Sequence, residues 1–330
     1  MKKILVIQTA FIGDVVLATA LIEKLHAFFP DARIDFLVRK GNETLLTGHP
    51  FLHEVLIWDK REHKLRNLYR LIRRIRQTKY DTVINVQRFA ATGLLTAFSG
   101  AGQTIGFDKN PLGFLFTKKI PHIVGNRHEI ERNQSLIATL TDNQPAKPRL
   151  YPSQGDEEKV NPYKTKPYIT ISPASVWFTK QYPKEKWSAF LQQIPQGYTV
   201  YLLGAPSDKE LCDAIKAAHP KATNLSGALT FLQSTALMKE ADMNYVNDSA
   251  PMHFASAVNA PVTAVYCSTI PAFGFGPLSD KRFIVEILQP LDCRPCGLHG
   301  YRTCPKGHFH CAWGIEDAQL LETLIPSRPS

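Results

Sequence analysis

The chain has 330 residues, 44% of them hydrophobic, with a formal net charge of +10 at neutral pH. That supplies enough apolar material for two ordinary cores, and no run approaches the roughly 18 apolar residues of a spanning helix, nor does a signal-peptide block open the chain, so a cytosolic protein is expected. The charge is lopsided: residues 1–150 hold 23 Lys and Arg against 13 Asp and Glu, a balance of +10, whereas residues 151–330 hold 16 of each. Such asymmetry says that the first half meets something anionic and that the second does a different job.

In chain order, KILVIQT reads as a strand that runs into Gly13-Asp14 and then a helix over Asp14–Phe28. ARIDFLV, EVLIWD and TVINVQ are further strand-like runs, so the rhythm is that of a parallel sheet covered on both faces. Between the last two lies KREHKLRNLYRLIRRIRQTK, residues 60–79, with nine Lys and Arg and one Glu. Leu65, Leu68, Ile72 and Ile75 recur at helical spacing, which predicts an amphipathic helix with a cationic outer face. That face is either simply solvated or drawn to an anionic membrane, at about 1 kcal/mol per charge. In NPLGFLFTKKI, residues 110–120, Phe114, Leu115 and Phe116 either pack in the core or dip into a bilayer interface. Thr141–Lys166, rich in Pro and polar residues, breaks the rhythm and reads as a linker or long surface connection.

The rhythm restarts with PYITISP, a helix near Trp187–Gln193, YTVYLLG, a helix over Asp208–Ala218, ADMNYVN, a short helix after Asp248, and APVTAVY. The expected architecture is α/β, in two halves of similar size at 1–150 and 151–330, without internal repeats. In NDSAPMHFASA a strand ends at Asn247-Asp248 and a helix starts at once, with Ser249 suited to the N-cap and Pro251 to the first turn. A helix N-terminus at the carboxyl edge of a parallel sheet is an anion site whose usual occupant is diphosphate, although such a helix is also plain architecture. Strand PYITISP ends in the small residues Ser172, Pro173, Ala174 and Ser175, which admit a ligand to the backbone, and Lys180 follows, where it can neutralise a departing phosphate. In LLGAPSDKE, Gly204 ends a strand and Ser207 or Asp208 is placed to bind ribose hydroxyls.

Cys293, Cys296, Cys304 and Cys311 lie in one 19-residue window with His299, His308 and His310 among them. These are the ligand types of a structural zinc or iron-sulfur site, though the later spacings are irregular, and free thiols are the alternative. Disulfides are not expected in a reducing compartment. Cys212 and Cys267 read as ordinary buried thiols.

FIGDVVLATAL, SPAS…TKQYP, NDSAPMHFASA and CRPCGLHGYRTCPKGHFHC, in this order and spacing, resemble the ADP-heptose:lipopolysaccharide heptosyltransferases of glycosyltransferase family 9, the heptosyltransferase II type among them. The resemblance spans essentially the whole chain. It implies a GT-B fold of two Rossmann-like domains with parallel sheets facing across a cleft. It also implies an inverting glycosyltransferase that moves a heptose from ADP-heptose to the inner core of lipopolysaccharide. The ADP-sugar donor would sit in 151–330 and a lipid A-core acceptor on the basic 1–150, at the cytoplasmic face of the inner membrane, whose anionic surface suits a +10 domain.

On the family's pattern Asp14, in a GD motif with Gly13, takes the proton from the acceptor hydroxyl, and Lys180 stands near the donor phosphates. Asp248, Ser249 and His253 fall in the segment that holds ADP and sugar, with Ala250 where many members have Gly. A carboxylate at a helix start is also stabilised by the macrodipole, by about 0.3–1 kcal/mol, and because the dipole lowers basicity a useful base there needs partial burial. Arg88, Arg127, His128 and Arg132 are further expected acceptor contacts, Arg being suited to bidentate binding of carboxylate or phosphate. Transfer itself requires no cofactor on this pattern. The alternatives are a nucleic-acid-binding protein with a zinc module, an NAD-dependent oxidoreductase, which the absence of G-x-G-x-x-G disfavours, and a GT-B nucleotide-sugar epimerase. Of these, the transferase reading expects no nucleic-acid partner.

Overall fold

A computed structural model describes residues 1–324 of the chain, apart from 124, 126 and 166. It divides into two compact units, Met1–Tyr151 and a second that begins at Pro152.

Unit 1 is built on six strands: β1 (Lys3–Ile7), β2 (Arg33–Arg39), β3 (Glu54–Trp58), β4 (Thr82–Asn85), β5 (Gln103–Phe107) and β6 (Lys118–Ile120). They pair in parallel in the order β3-β2-β1-β4-β5-β6. Helices α1 (Ile12–Phe28), α2 (Lys64–Thr78), α3 (Ala90–Ala97) and α4 (Glu129–Ile137) accompany them. Ile4, Leu5, Val6 and Ile7 of β1 are all fully buried, the mark of a central parallel strand covered on both faces. Of the 17 residues of α1, nine are buried, so its apolar surface wraps the helix where a surface helix would show a stripe.

Two sequence expectations change here. The basic helix begins only at Lys64, and its buried stripe is Leu68, Leu71 and Ile75. Leu65 is 78% exposed, because at 3.6 residues per turn it lies about 90° around the helix from the middle of that stripe. The stretch Thr141–Lys166 is not all connection either, since Gln154–Val160 forms helix α5. Ser153 accepts from Asp156 N at 3.2 Å while Asp156 accepts from Ser153 N at 2.9 Å, a reciprocal cap that starts the helix without needing an apolar period.

Unit 2 holds β7 (Tyr168–Ser172), α6 (Lys184–Gln192), β8 (Thr199–Leu202), α7 (Lys209–Ala217), β9 (Thr223–Asn224), α8 (Phe231–Lys239), β10 (Met243–Asn247), α9 (Ala250–Ala257), β11 (Val262–Tyr266) and β12 (Arg282–Glu286). Helices α10 (His310–Trp313) and α11 (Asp317–Leu324) end the described chain. The parallel order is β12-β11-β10-β7-β8-β9, which is the order of unit 1 when strands are counted from each unit's first. Its core packs Trp187 and Phe190 of α6 against Tyr245 of β10, and Cys311 and Ala312 of α10 join the same cluster. The C-terminal segment is thereby part of unit 2's core.

In doubly wound sheets ligands gather where the strand order reverses, outside the carboxyl ends of the strands. Those points lie between β1 and β4 in unit 1 and between β7 and β10 in unit 2.

Candidate functional site

In unit 2 the reversal point is fixed by Asn247. Its Nδ2 donates to Pro173 O at 2.7 Å and its Oδ1 accepts from Tyr182 N at 3.0 Å, which ties the end of β10 to the loop after β7. Beside it, Asp248 is 6% exposed, and its Oδ2 takes Lys180 Nζ at 2.6 Å and Thr269 Oγ1 at 2.6 Å. Lys180 is therefore held by a buried carboxylate at the edge of the sheet, with ammonium donors left over for an anion. The small residues Ala174 and Ser175 are half-buried beside this turn, and Ser172 is buried at the end of β7.

Ser249 occupies the N-cap of α9 in extended conformation, but its side chain does not cap. Its hydroxyl points back at Asn247 O, 3.4 Å away, so it does not cap the first turn, where Pro251 has no N–H and Met252 N donates to Ser249 O at 3.1 Å. Ala250 is the first helical residue, Pro251 lies within the first turn, and His253 is buried one turn on. Asp208 accepts from Ala205 N at 2.8 Å, and a Cβ on Gly204 would meet its Cβ at 2.9 Å, so this carboxylate is committed to shaping its own turn.

The sequence reading missed the brace around Lys180. Cys296 N donates to Ser268 O at 2.8 Å, Ser268 Oγ to Thr179 Oγ1 at 3.0 Å, Thr179 N to Tyr301 O at 3.1 Å and Tyr301 N to Thr179 Oγ1 at 2.8 Å. Arg294 donates to Cys267 O at 2.7 Å, Thr269 O at 2.8 Å and Glu286 Oε2 at 2.6 Å. Gly300, at φ +77°, presses so closely that a Cβ would lie 2.9 Å from Thr179 Oγ1 and 3.1 Å from Lys180 Cγ. The Cys-rich segment thus lies directly against the lysine turn.

Its thiols share one neighbourhood. Burial, and then the nearby Cys296, Cys304 and Cys293, push Cys311 up to about 12, and burial with Cys293 and Cys304 raises Cys296. His308 Nε2 lies 3.9 Å from Cys293 Sγ. In a tetrahedral thiolate centre, sulfurs bound at about 2.3 Å stand roughly 3.8 Å apart. Among the described residues no three of these ligand atoms lie within 4.8 Å of one another, and the group that meets that spacing is Asp35, His53 and Glu54 in unit 1. Asp35 already accepts from Arg33 and Tyr80, and Glu54 pairs with Arg33 and Arg74, so that group is an internal charge network. The cysteines converge without closing to ligand spacing.

In unit 1, Gln87 of the loop after β4 donates to Gln8 of the loop after β1, closing the reversal point. Asp14 is the third residue of α1, half-buried, and its Oδ2 accepts from Phe11 N at 3.2 Å, with Gly13 before it in the same turn. Arg39 lies over the Phe11 ring, 5.0 Å from its centroid, and feels the Asp14 charge. Glu129 is raised by burial, opposed by Arg132 and Arg88 and reinforced by Asp14. Asp14, Arg88, Glu129 and Arg132 are thereby brought together from three separate elements. Arg132 is 5% exposed, with Nε on Glu129 at 2.8 Å and Nη1 on Arg127 O at 2.8 Å, so its fork is used inside the unit. Arg88 and Arg127 are exposed. His128 caps α4, accepting from Ile130 N at 3.3 Å.

Lys60 was missed as well. Its Nζ donates to Thr9 O at 3.0 Å and Thr9 Oγ1 at 2.9 Å, and burial, then Arg39 and Lys64, push it down to about 8. In the sequence Lys60 is one cation of a charge run ahead of α2; its meeting with Thr9 and with Arg39 at the end of β2 depends on the sheet order.

Residues 68–300 match the family model for glycosyltransferase family 9 (heptosyltransferase). The chain belongs to glycosyltransferase family 9. This family 9 chain is similar to lipopolysaccharide heptosyltransferase 3 of Escherichia coli, 28% identical over 78% of the chain and 82% of the relative. To lipopolysaccharide heptosyltransferase 2 of Escherichia coli K12 it is 25% identical, over 98% and 97%. Among solved structures it aligns with E. coli ADP-heptose lps heptosyltransferase II at a TM-score of 0.80, 23% identity, covering 98% of this chain and 97% of that one. The fold is GT-B, each unit a Rossmann-like α/β domain, and the family 9 chain is a glycosyltransferase. Membership sets aside the nucleic-acid-binding, oxidoreductase and epimerase alternatives.

Proposed function

We propose that the chain moves a heptose from ADP-heptose onto the inner core of lipopolysaccharide with inversion, Asp14 acting as base on the acceptor hydroxyl and Lys180 receiving the departing diphosphate. The observation that carries this reading is the Lys180–Asp248–Thr269 network at the reversal point of unit 2, in a chain whose family acts by glycosyl transfer. The anomeric carbon–oxygen bond to ADP breaks as the acceptor oxygen attacks from the opposite face, the proton passes to Asp14, and the electron pair leaves with the diphosphate. Lys180 and the positive end of α9 supply the charge that this anion needs, and Asp248 keeps the ammonium in place beforehand. This scheme calls on no cofactor. Ser172, Ala174, Ser175, Ala250 and His253 line the donor's approach in this reading, with Gly204 and Asp208 shaping the ribose end.

The acceptor falls to unit 1, where Gly13, Arg88, Arg127 and His128 offer contacts to an acidic, phosphorylated lipid A core, and Arg132 positions Glu129 behind them. Such an acceptor places the enzyme peripherally at the cytoplasmic face of the inner membrane; among the described residues no helix is long and apolar enough to cross one. The Cys293–Cys311 segment acts as the brace of the lysine turn, and a zinc or iron ion on Cys293, Cys296, Cys304 and Cys311 would need those thiols to draw closer.

Calorimetric titration with ADP, alongside turnover, tests the assignment. Asp14→Asn is expected to lower turnover by roughly 10²–10⁴-fold with ADP affinity unchanged, and Lys180→Ala to lower both. Loss of ADP binding in Asp14→Asn would place the donor in the wrong unit.

A further inference from the structure

The carboxyl edge of unit 1 carries a set of side chains that the transfer chemistry leaves unused. Phe114 is 72% exposed and Leu115 47%, both on the short turn Gly113–Leu115 between β5 and β6. Phe116, next in sequence, is 7% exposed and lies across Gly106, where a Cβ would stand 2.5 Å from its ring. The three aromatic and aliphatic residues of FLF therefore divide: one anchors the turn and two are presented outward.

The turn is pinned at both ends. Thr117 and Thr104 exchange hydrogen bonds of 2.8 and 2.9 Å through their hydroxyls and backbones. Asn110 donates to Gln87 O at 3.0 Å and Phe89 O at 3.2 Å, and Leu112 N donates to Asn110 Oδ1 at 3.0 Å. The exposed pair is thus held rigidly and is tied to the loop that carries Arg88. Because β1, β4, β5 and β6 are parallel neighbours, the segments that follow them share one edge, and each brings an exposed apolar residue: Phe11 at 55%, Phe89 at 66%, then Phe114, Leu115 and Ile123 at 51%. Lys109 and Lys119 are exposed on either side of the turn, and Asp108, the acidic residue of residues 101–123, is occupied by His122 N at 2.9 Å.

Exposed apolar side chains gathered along one edge and rimmed by polar residues mark a surface with a partner, and Phe114 and Leu115 are adjacent on one turn of this edge. Separate tips with lysines between them do not make the flat, continuous face that a folded protein would cover, whereas a fluid interface accepts ragged apolar tips and rewards the cations if it is acidic. We propose that the Phe114–Leu115 turn is a wedge that seats unit 1 in the interface of an anionic phospholipid bilayer, with Lys109 and Lys119 against the headgroups. The inference deepens the reading of a membrane-borne acceptor and rests on it for its purpose, although its test uses no acceptor.

The test is partition of the full chain onto acceptor-free vesicles of phosphatidylglycerol and phosphatidylethanolamine, against phosphatidylcholine alone. Wild type is expected to bind the anionic vesicles and to release as salt is raised to about 500 mM. F114S/L115S is expected to weaken partition by roughly tenfold or more while ADP affinity and transfer to a delipidated, soluble acceptor stay at wild-type values. As a second readout independent of that variant's folding, F114W is expected to show quenching by brominated lipid beyond the background of the native tryptophans. Wild type that ignores acceptor-free anionic vesicles, F114S/L115S that binds them like wild type, or F114W that is not quenched overturns the wedge. So does a variant whose only change is lost self-association by light scattering, which would make this face a contact between copies. Failure of ADP binding or of transfer in wild type strikes the proposed function and leaves the wedge standing.

Discussion

Nε2 of His49 stands 3.5 Å from Glu23 Oε1, a separation that looks like an ion pair, yet burial pushes its pKa down to about 4, helped by the charge of His26, and the ring is neutral at pH 7. Tyr151 OH lies 3.0 Å from both Glu23 oxygens, and Glu23 is itself raised by burial. The sign of the consequence follows from which state takes the proton. An unfolded histidine titrates near 6.5, so between about 6.5 and 4 the unfolded chain binds a proton that the folded chain refuses, and stability is lost as pH falls through that window. Urea unfolding at a series of pH values should show a loss of up to roughly 3 kcal/mol that His49→Gln does not share. Glu23 contributes with the opposite sign in both chains, so it enters the difference only through its contact with His49. An identical slope in His49→Gln would mean that the imidazole is not the group responsible.

The Cys-rich segment is an element whose work shows only in three dimensions. Gly300→Ala would put a methyl against Thr179 and Lys180 and force a left-handed φ on an L side chain, at a cost of roughly 1–3 kcal/mol. If the segment braces the lysine, denaturation should report that loss and calorimetry a weaker grip on ADP; a destabilised variant with wild-type ADP affinity would show that the brace is merely structural. What the sequence made legible follows from the same distinction. Asp14, Lys180 and Asp248 stand at or near strand-to-helix turns, where an apolar run gives way to a polar residue and a helical period begins. A central strand such as β1 is readable because burial on both faces demands an apolar run. Strand β6 has three residues and β9 two, too few for any period to register, and α5 starts from a cap instead of a stripe. Arg294, Gly300 and Thr269 were not readable because each acts on a partner distant in sequence: Arg294 on backbone carbonyls, Gly300 by its close approach to Thr179, and Thr269 through its hydroxyl on Asp248. Phe114 and Phe116 look alike in the sequence; Gly106, on the neighbouring strand, decides which one is buried.

At the scale of the whole chain, two sheets of identical strand order carry opposite chemistry at the same structural position. The residues are the cause, since the topology offers a ligand site at each reversal point regardless of sequence. In unit 2 that point presents a lysine fixed by a carboxylate and a helix start that no side chain caps, both suited to diphosphate. In unit 1 the corresponding helix is closed to an anion by Asp14, whose carboxylate already accepts from Phe11 N and would repel phosphate, while the cations stand on the surrounding loops. A donor nucleotide should therefore mark one reversal point and spare the other. Hydrogen exchange of the intact chain with ADP at about 100 times Kd, where mass action adds about 2.7 kcal/mol to the stability of the folded state, should slow the amides of residues 174–182, 248–250, 252–253 and 268–269. The amides of residues 8–14 should exchange as in free protein, with Asp14→Asn giving the same map. Protection confined to residues 8–14 would mean that a carboxylate at a helix start does not keep diphosphate out, and the charge argument that separates the two units would fail with it.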